Sequence, residues 1–229
     1  MKTLLITGAS SLGIKLANYF KNDYNIILTY NKNNPIDKIR DINNIELINL
    51  DITNEDEVIN KRDYIKSKYK HIDVIINNAA LSLDEFFEYQ NKEDFMKVLE
   101  TNIWGTFSII REYINITDTI INISSTDSID TGSPYNIEYS ISKAGINTLT
   151  KYMADFNKDK YIYAILPNWI NTDTTKKNFE YVVSEMKRIG QKELIEEITI
   201  CRIIEKVINN REHIKSGSII RINEGDNNE

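Results

Sequence analysis

Tyr139 and Lys143 stand four residues apart in Tyr139-Ser-Ile-Ser-Lys143, which opens a helical pattern running to about Phe156. Residues i and i+4 share one face of a helix, so phenol and ammonium project together. Upstream, Ile121-Asn-Ile-Ser-Ser125 reads as a buried strand ending in hydroxyls, and its end can present Ser125 to the pair across a loop. A free tyrosine titrates near pH ~10. A nearby ammonium favours the phenolate and lowers that value. A phenol tuned this way can exchange a proton with a substrate oxygen near neutral pH. The serine hydroxyl can hydrogen-bond the oxygen on which charge develops. The chemistry implied is interconversion of a carbonyl and an alcohol, with hydride from another source. The same spacing is also common in surface pairs, so the surroundings must decide.

Those surroundings repeat one unit. Apolar runs at Leu4–Thr7, Asn25–Tyr30, Ile45–Leu50, Ile72–Ile76, Ile120–Ser124, Tyr161–Leu166 and Ser218–Ile222 read as strands. Helical patterns alternate with them. One starts after the glycine turn, one runs from the Thr53 region to Tyr69, and a third spans Lys92 to Tyr113. The Tyr139–Phe156 helix follows, then Lys176–Gly190 and Lys192–Asn209. The segment Asn31 to Pro35 is a loop by composition. This alternation predicts an α/β fold, a doubly wound parallel sheet of Rossmann-like type, in a single domain over residues 1–229. Ligands of such sheets bind at the carboxyl ends of the strands. The turn Thr7–Gly13, Asp51, Asn77-Asn78, Ser125 and Pro167–Thr172 all fall at strand carboxyl ends, so they converge on one edge. Strand, glycine turn and helix at the start of the chain is also the geometry that sets backbone N–H groups against a phosphate. Gly105 in mid-helix costs ~1 kcal/mol relative to Ala, which points to a packing reason.

Composition narrows the class. The 229 residues are 41% hydrophobic and 27% charged, ordinary for a globular protein. A net charge of −6 argues against a generic nucleic-acid surface and gives no sign of binding to anionic membranes. Cys201 is the one cysteine, so no intrachain disulfide can form, and its apolar setting reads as core. His71 and His213 lack ligand spacing, and no metal site is expected. No apolar run reaches the ~18 residues of a membrane span. Met1 to Ile6 lead straight into the glycine turn without a cleavable leader, so a cytoplasmic protein is the expectation.

Taken together, the pieces resemble the short-chain dehydrogenase/reductase family in its short, single-domain branch, across the whole chain. The resemblance implies that Gly8, Ser10, Ser11, Leu12 and Gly13 form the cofactor turn. It places Tyr30, Asn31 and Lys32 beside the adenosine ribose, and Asp51 with Ile52 at the adenine ring. Asn77-Asn78-Ala79-Ala80 resembles the Asn-Asn-Ala-Gly element next to it. Asn102, Ser125, Tyr139 and Lys143 match the catalytic four. Pro167, Asn168, Ile170 and Thr172 resemble the element at the nicotinamide amide. Arg188 to Gln191 and Ser216 to Arg221 resemble the usual C-terminal end.

Three positions depart from the pattern. Gly8-Ala-Ser-Ser-Leu-Gly13 is one residue shorter than the usual Gly-x-x-x-Gly-x-Gly and lacks its middle glycine. Ala80 replaces a glycine. Asn168 replaces the glycine after Pro167, and Asn is a non-glycine residue that tolerates positive φ. Ser125 is matched rather than Ser124 because the family's serine is the second of such a pair.

The implied activity is that of an NAD(P)-dependent oxidoreductase. Tyr139 is the general acid, and Lys143 lowers its pKa and holds the nicotinamide ribose. Ser125 orients the carbonyl, and Asn102 supports a water on the proton path. A 3-oxoacyl-(carrier-protein) reductase-like ketoreductase is the expected kind. An alcohol- or sugar-type dehydrogenase is the alternative, and a non-catalytic nucleotide-binding regulator on the same fold is a further one. The intact catalytic set favours an enzyme.

The substrate is a small-molecule or carrier-bound carbonyl. Its lid is expected over about 174–190, with Lys176, Lys177, Phe179, Tyr181 and Met186. The helices around Ile103, Trp104, Phe107, Leu149 and Tyr152 are apolar on more than one face, as in the family's homodimers and homotetramers. An acid at the end of the second strand would bind the ribose 2′-OH and repel a 2′-phosphate. Tyr30-Asn31-Lys32 supplies no carboxylate there, and Lys32 supplies a cation, so NADP is expected, with NAD as the alternative.

Overall fold

A computed structural model of the protein describes residues 1–39, 43–130 and 132–228. The chain runs β1 (Lys2–Thr7), α1 (Ser11–Phe20), β2 (Tyr24–Tyr30), α2 (Ile36–Ile39), β3 (Ile45–Asn49), α3 (Glu55–Tyr69) and β4 (Ile72–Asn77). It continues through α4 (Lys92–Leu99), α5 (Thr106–Tyr113), β5 (Thr117–Ile123), α6 (Ile137–Phe156) and β6 (Tyr161–Pro167). The last elements are α7 (Asp173–Lys177), α8 (Phe179–Ile189), α9 (Glu197–Asn209) and β7 (Ile219–Ile222).

The strands form one parallel sheet in the order β3-β2-β1-β4-β5-β6-β7. Side chains alternate between the sheet's faces, and both faces are covered, which is why the strands read as unbroken apolar runs. On one face Leu4, Ile6, Ile26 and Val74 pack with Leu16 and Phe20 of α1 and Ile200 and Ile204 of α9. On the other, Leu5, Ile27 and Ile75 pack with Val58 and Ile65 of α3 and Ile109 and Tyr113 of α5. Each such buried side chain contributes ~1.5–3 kcal/mol relative to exposure. Strand order reverses between β1 and β4, which opens a crevice at their carboxyl ends.

Four local details differ from the sequence reading. A short helix, α2, follows the loop at Pro35. The Lys92–Tyr113 segment is helical throughout but widens into a π turn at Glu100–Gly105. Gly105 has the packing reason its position called for, since a Cβ there would lie 2.6 Å from the Ile52 side chain. Residues 192–196 are extended rather than helical. Buried Ile195 pairs its backbone with Trp169 and Asn171 beside the end of β6, and α9 starts only at Glu197. The expected Lys176–Gly190 helix is divided at Asn178 into α7 and α8.

Candidate active site

The catalytic helix α6 presents Lys143 and Tyr139 toward the end of β5. Lys143 is 3% exposed, and its Nζ donates to the Ile123 carbonyl at 2.8 Å. That ammonium lies 5.3 Å from the centre of the Tyr139 ring. The two serines at the end of β5 have separate roles. Ser124 donates its hydroxyl to the Lys143 carbonyl at 3.1 Å, which ties strand to helix. Ser125 accepts from the Asp127 N–H at 3.2 Å, a role that leaves its own O–H to donate.

Burial dominates the electrostatics. Desolvation pushes Lys143 down to about 8. Desolvation also pushes the Tyr139 phenol well above its ordinary value, and the Asp127 and Asp84 carboxylates push it further the same way. The sequence reading had Lys143 lowering the phenol's pKa. In the structure the phenol is raised instead, because burial disfavours the phenolate and the Asp127 and Asp84 carboxylates add to this. Tyr139 is therefore a neutral acid at physiological pH.

Asn102 lies in the π turn, a helix irregularity frequent at functional sites. Its side chain accepts from the Leu81 N–H at 2.7 Å. It donates to the Leu81 carbonyl and to Ser142 Oγ, both at 2.9 Å. Ser142 Oγ in turn donates to the Tyr139 carbonyl at 2.6 Å. Asn102 thus joins the loop after β4 to the catalytic helix.

Next to this lies a cleft of about 680 Å³ at the ends of β1 to β4. Gly8, Ser10, Tyr30, Asn31, Lys32, Asp51, Ile52, Asn78, Ala79 and Ala80 line it. The shortened glycine turn closes without its middle glycine. Gly8 has φ +79°, and a Cβ on Gly13 would lie 2.1 Å from the Gly8 carbonyl, so both glycines are required. Ser10 caps α1 by accepting from the Gly13 N–H at 3.3 Å. Asn78 Nδ2 reaches across to the Thr7 and Gly8 carbonyls and to Ser10 Oγ, at 3.1, 2.7 and 3.2 Å. Ser11 starts α1, while the Leu12 side chain turns into the core. Burial tends to raise the Asp51 carboxyl, but hydrogen bonds from Thr53 and Asn31 and the charge of Lys32 outweigh it and hold the group below its ordinary value.

Pro167, Asn168, Ile170 and Thr172 lie at the end of β6 and just beyond it. Asn168 does not use positive φ, as its replacement of a glycine had suggested. Its Oδ1 instead accepts from the Trp169 N–H at 3.0 Å. Ile170 bridges to Ile195, and the Thr172 side chain caps α7.

Sequence reasoning placed Lys177, Phe179 and Tyr181 in the expected lid but missed Asp84, Phe86 and Tyr135, which lie against them. Phe86, Tyr135, Tyr181 and Trp169 form a chain of rings with successive centroids 5.2, 5.6 and 6.0 Å apart. A cavity of about 710 Å³ opens there, lined by Asp84, Tyr135, Lys177, Phe179 and Tyr181 among others. Asp84, Phe86 and Tyr135 come from loops remote in sequence, while Lys177 ends α7 and Phe179 and Tyr181 start α8, so they share no local pattern; the one signal of the missed residues was aromatic side chains next to turn positions. Among the described residues, no group of His, Cys, Asp and Glu could hold a metal ion, and no helix is long and apolar enough to cross a membrane.

A doubly wound parallel sheet with a glycine turn at its switch point is a Rossmann-like fold, whose ligands bind in the crevice at that point. The sequence matches the short chain dehydrogenase family over residues 2–182, and the chain belongs to that family. A 3-oxoacyl-(acyl-carrier-protein) reductase of Thermotoga maritima is 29% identical over 135 residues. That match spans about half of each chain, 56% of this one and 54% of the reductase. The reductase of the same name from Buchnera aphidicola is 29% identical over 98% of this chain and 96% of its own. Among solved structures, ElxO with NADP bound superposes with a TM-score of 0.86 at 27% identity, covering 100% of this chain and 99% of that one.

Proposed function

We propose that the protein is an NADP-dependent ketoreductase that reduces the carbonyl of a small-molecule or carrier-bound 3-oxoacyl substrate to a secondary alcohol. The observation that carries this reading is Lys143, buried on α6 with its Nζ bonded to the Ile123 carbonyl at the end of β5, two residues before Ser125, and 5.3 Å from the Tyr139 ring. The cradle fits a nicotinamide dinucleotide, since Gly8 and Gly13 let the turn fold tightly against Ala79 and Asn78 and set the start of α1 beside the cleft, where a pyrophosphate would meet a helix N-terminus. Asp51 and Ile52 would hold the adenine, and Asn31 and Lys32 a 2′-phosphate. Tyr139 and Lys143 would hold the nicotinamide ribose, with Pro167, Asn168, Ile170 and Thr172 at the amide.

When bound, the dinucleotide supplies hydride. The chain's own residues manage the oxygen. Ser125 donates a hydrogen bond to the carbonyl oxygen and fixes its direction. The neutral Tyr139 phenol donates the proton that oxygen needs. Lys143, with a pKa of about 8, is charged at neutral pH and steadies the phenolate left behind. Asn102 holds the loop at Leu81 that borders both clefts.

NADP is favoured over NAD because the end of β2 carries Tyr30, Asn31 and exposed Lys32 and no carboxylate. The NADP bound to ElxO, which this chain resembles, supports the same choice. The helices α7 and α8, covering 174–190, act as the substrate lid over the single domain. Exposed Trp104, Ile141, Tyr152 and Phe156 lie on the π turn and α6 and suit a second copy of the chain, giving a homodimer or homotetramer in the cytoplasm. A panel of 3-oxo esters, ketones and aldoses with NADPH and NADH tests the reading. Reduction of 3-oxo esters with NADPH supports it, and turnover of none of them refutes it. A solution mass of a single chain refutes the oligomer.

A further inference from the structure

Glu138 precedes the catalytic tyrosine and is fully buried, at 0% exposure. Its Oε2 accepts from Gln90 Nε2 at 2.7 Å. Gln90 sits at the end of the loop that begins at Leu81, passes Asp84 and forms one wall of the substrate cavity. The remaining oxygens of the pair, Glu138 Oε1 and Gln90 Oε1, are both buried and accept no hydrogen bond of normal geometry, although the backbone N–H groups of Glu138 and Leu83 approach the carboxyl. If Glu138 were ionised, both oxygens would stay acceptors without a well-formed donor. A carboxylic acid carries one O–H, the one donor the pair lacks. Donated from Glu138 Oε1 to Gln90 Oε1, it satisfies both atoms at once and closes a cyclic acid–amide pair. Unpartnered buried acceptors are costly, which makes the neutral form the consistent one.

We infer that Glu138 is held as a neutral carboxylic acid paired with Gln90, and that this pair positions the 81–90 wall of the substrate cavity against the catalytic helix. The surroundings agree. Burial pushes the Glu138 carboxyl above its ordinary value, and the charge of Asp84 from the same loop adds to this. The N–H dipoles of Glu138 and Leu83 pull the other way without overcoming it. The rest of the loop needs such a tie. Its middle is fastened by the backbone bonds Glu85 N–H to Tyr135 O and Phe87 N–H to Pro134 O, at 2.9 and 3.0 Å, and by the Phe86–Tyr135 ring contact. Its start is gripped by Asn102. Gln90 and Glu138 fasten its end. A neutral acid also keeps one more negative charge away from the Tyr139 phenol, which already faces Asp127 and Asp84.

The kinetic arm of the test rests on the proposed reductase activity; the spectroscopic arm does not. Difference infrared spectra of the whole protein, wild type minus E138Q, at neutral pH should contain a protonated-carboxyl band. A difference holding carboxylate bands alone overturns the inference. E138Q keeps the donor and acceptor pattern of the acid, so KM and the alkaline limb of the pH–rate profile should match wild type. Gln90→Met fills the same space without a polar partner and should raise substrate KM by about tenfold with a smaller change in kcat, the size expected when a buried polar pair loses one member. An alkaline limb moved to lower pH in E138Q would show that a charge had been removed beside Tyr139, and would also overturn it.

Discussion

The two halves of the active cleft are built differently. The nucleotide half is made of short contiguous turns, each at the end of one strand, and its bonds are local or join adjacent strands. Gly8, Ser10 and Gly13 shape one loop, Asp51 and Thr53 another, and Asn78 clips the first from the neighbouring strand. The proposed substrate half is assembled from segments remote in sequence: the loop 81–90, the turn at Tyr135, and the end of β6 with α7 and α8. Ring contacts join these segments, and the Gln90–Glu138 bond ties the first to α6. The first construction fixes backbone for a ligand whose phosphates ask for N–H groups. The second leaves side chains to decide what enters. One half can therefore stay constant while the other changes its substrate.

Variants in the two halves should separate these roles. The largest loss is expected from Tyr139→Phe, which removes the proposed proton donor and should lower kcat by about 10²–10⁴-fold, while nucleotide titration shows a far smaller loss of cofactor affinity, that of one ribose hydrogen bond. Gly13→Ala comes next. Its Cβ would lie 2.1 Å from the Gly8 carbonyl, so the cradle must shift. A cost of ~1–3 kcal/mol is expected, read as weaker nucleotide binding and a lower Tm.

Tyr181→Ala opens the ring chain and loses the hydroxyl bond to Ser133 at 3.0 Å. It should raise the substrate KM by about tenfold and leave the cofactor KM unchanged, and a rise in both would break the division drawn above. Lys143→Met tests burial. Folding lowers the Lys143 pKa from 10.5 to about 8, so the unfolded chain binds the extra proton between those values and wild-type stability gains as pH rises through that window. The variant should lack this gain, so the wild-type minus variant difference in denaturant midpoint should climb from pH 8 to 10. The smallest effect belongs to exposed Lys32. Lys32→Ala should reduce the NADPH-over-NADH preference by only ~2–5-fold, since its charge is screened by solvent.

How far the sequence could be read follows the same division. Seven strands, their parallel pairing and the edge where turns converge were legible because apolar runs and turn residues are contiguous signals; their order in the sheet was not read. So was the Tyr139–Lys143 face, because four residues set it. The extended 192–196 segment was read as helix because its pairing partners, Trp169 and Asn171, lie elsewhere in the chain. The turn at Asn168 kept ordinary φ because its own side chain supplied the bond, a choice that glycine cannot make. The pKa of Tyr139 was misjudged in direction, since spacing shows which charge is near but not how much water has been removed. Glu138 had no signal at all, because its partner is 48 residues away.

Asn78 gives the glycine turn a history as well as a shape. The turn forms within the first residues of the chain, yet the side chain that grips the Thr7 and Gly8 carbonyls arrives about 70 residues later, when β4 pairs with β1. Contacts of such separation form late, because the loop between them must close first. A nascent chain therefore has its first strand and helix long before it has a nucleotide site. The ability to hold cofactor becomes a report that the centre of the sheet has been assembled.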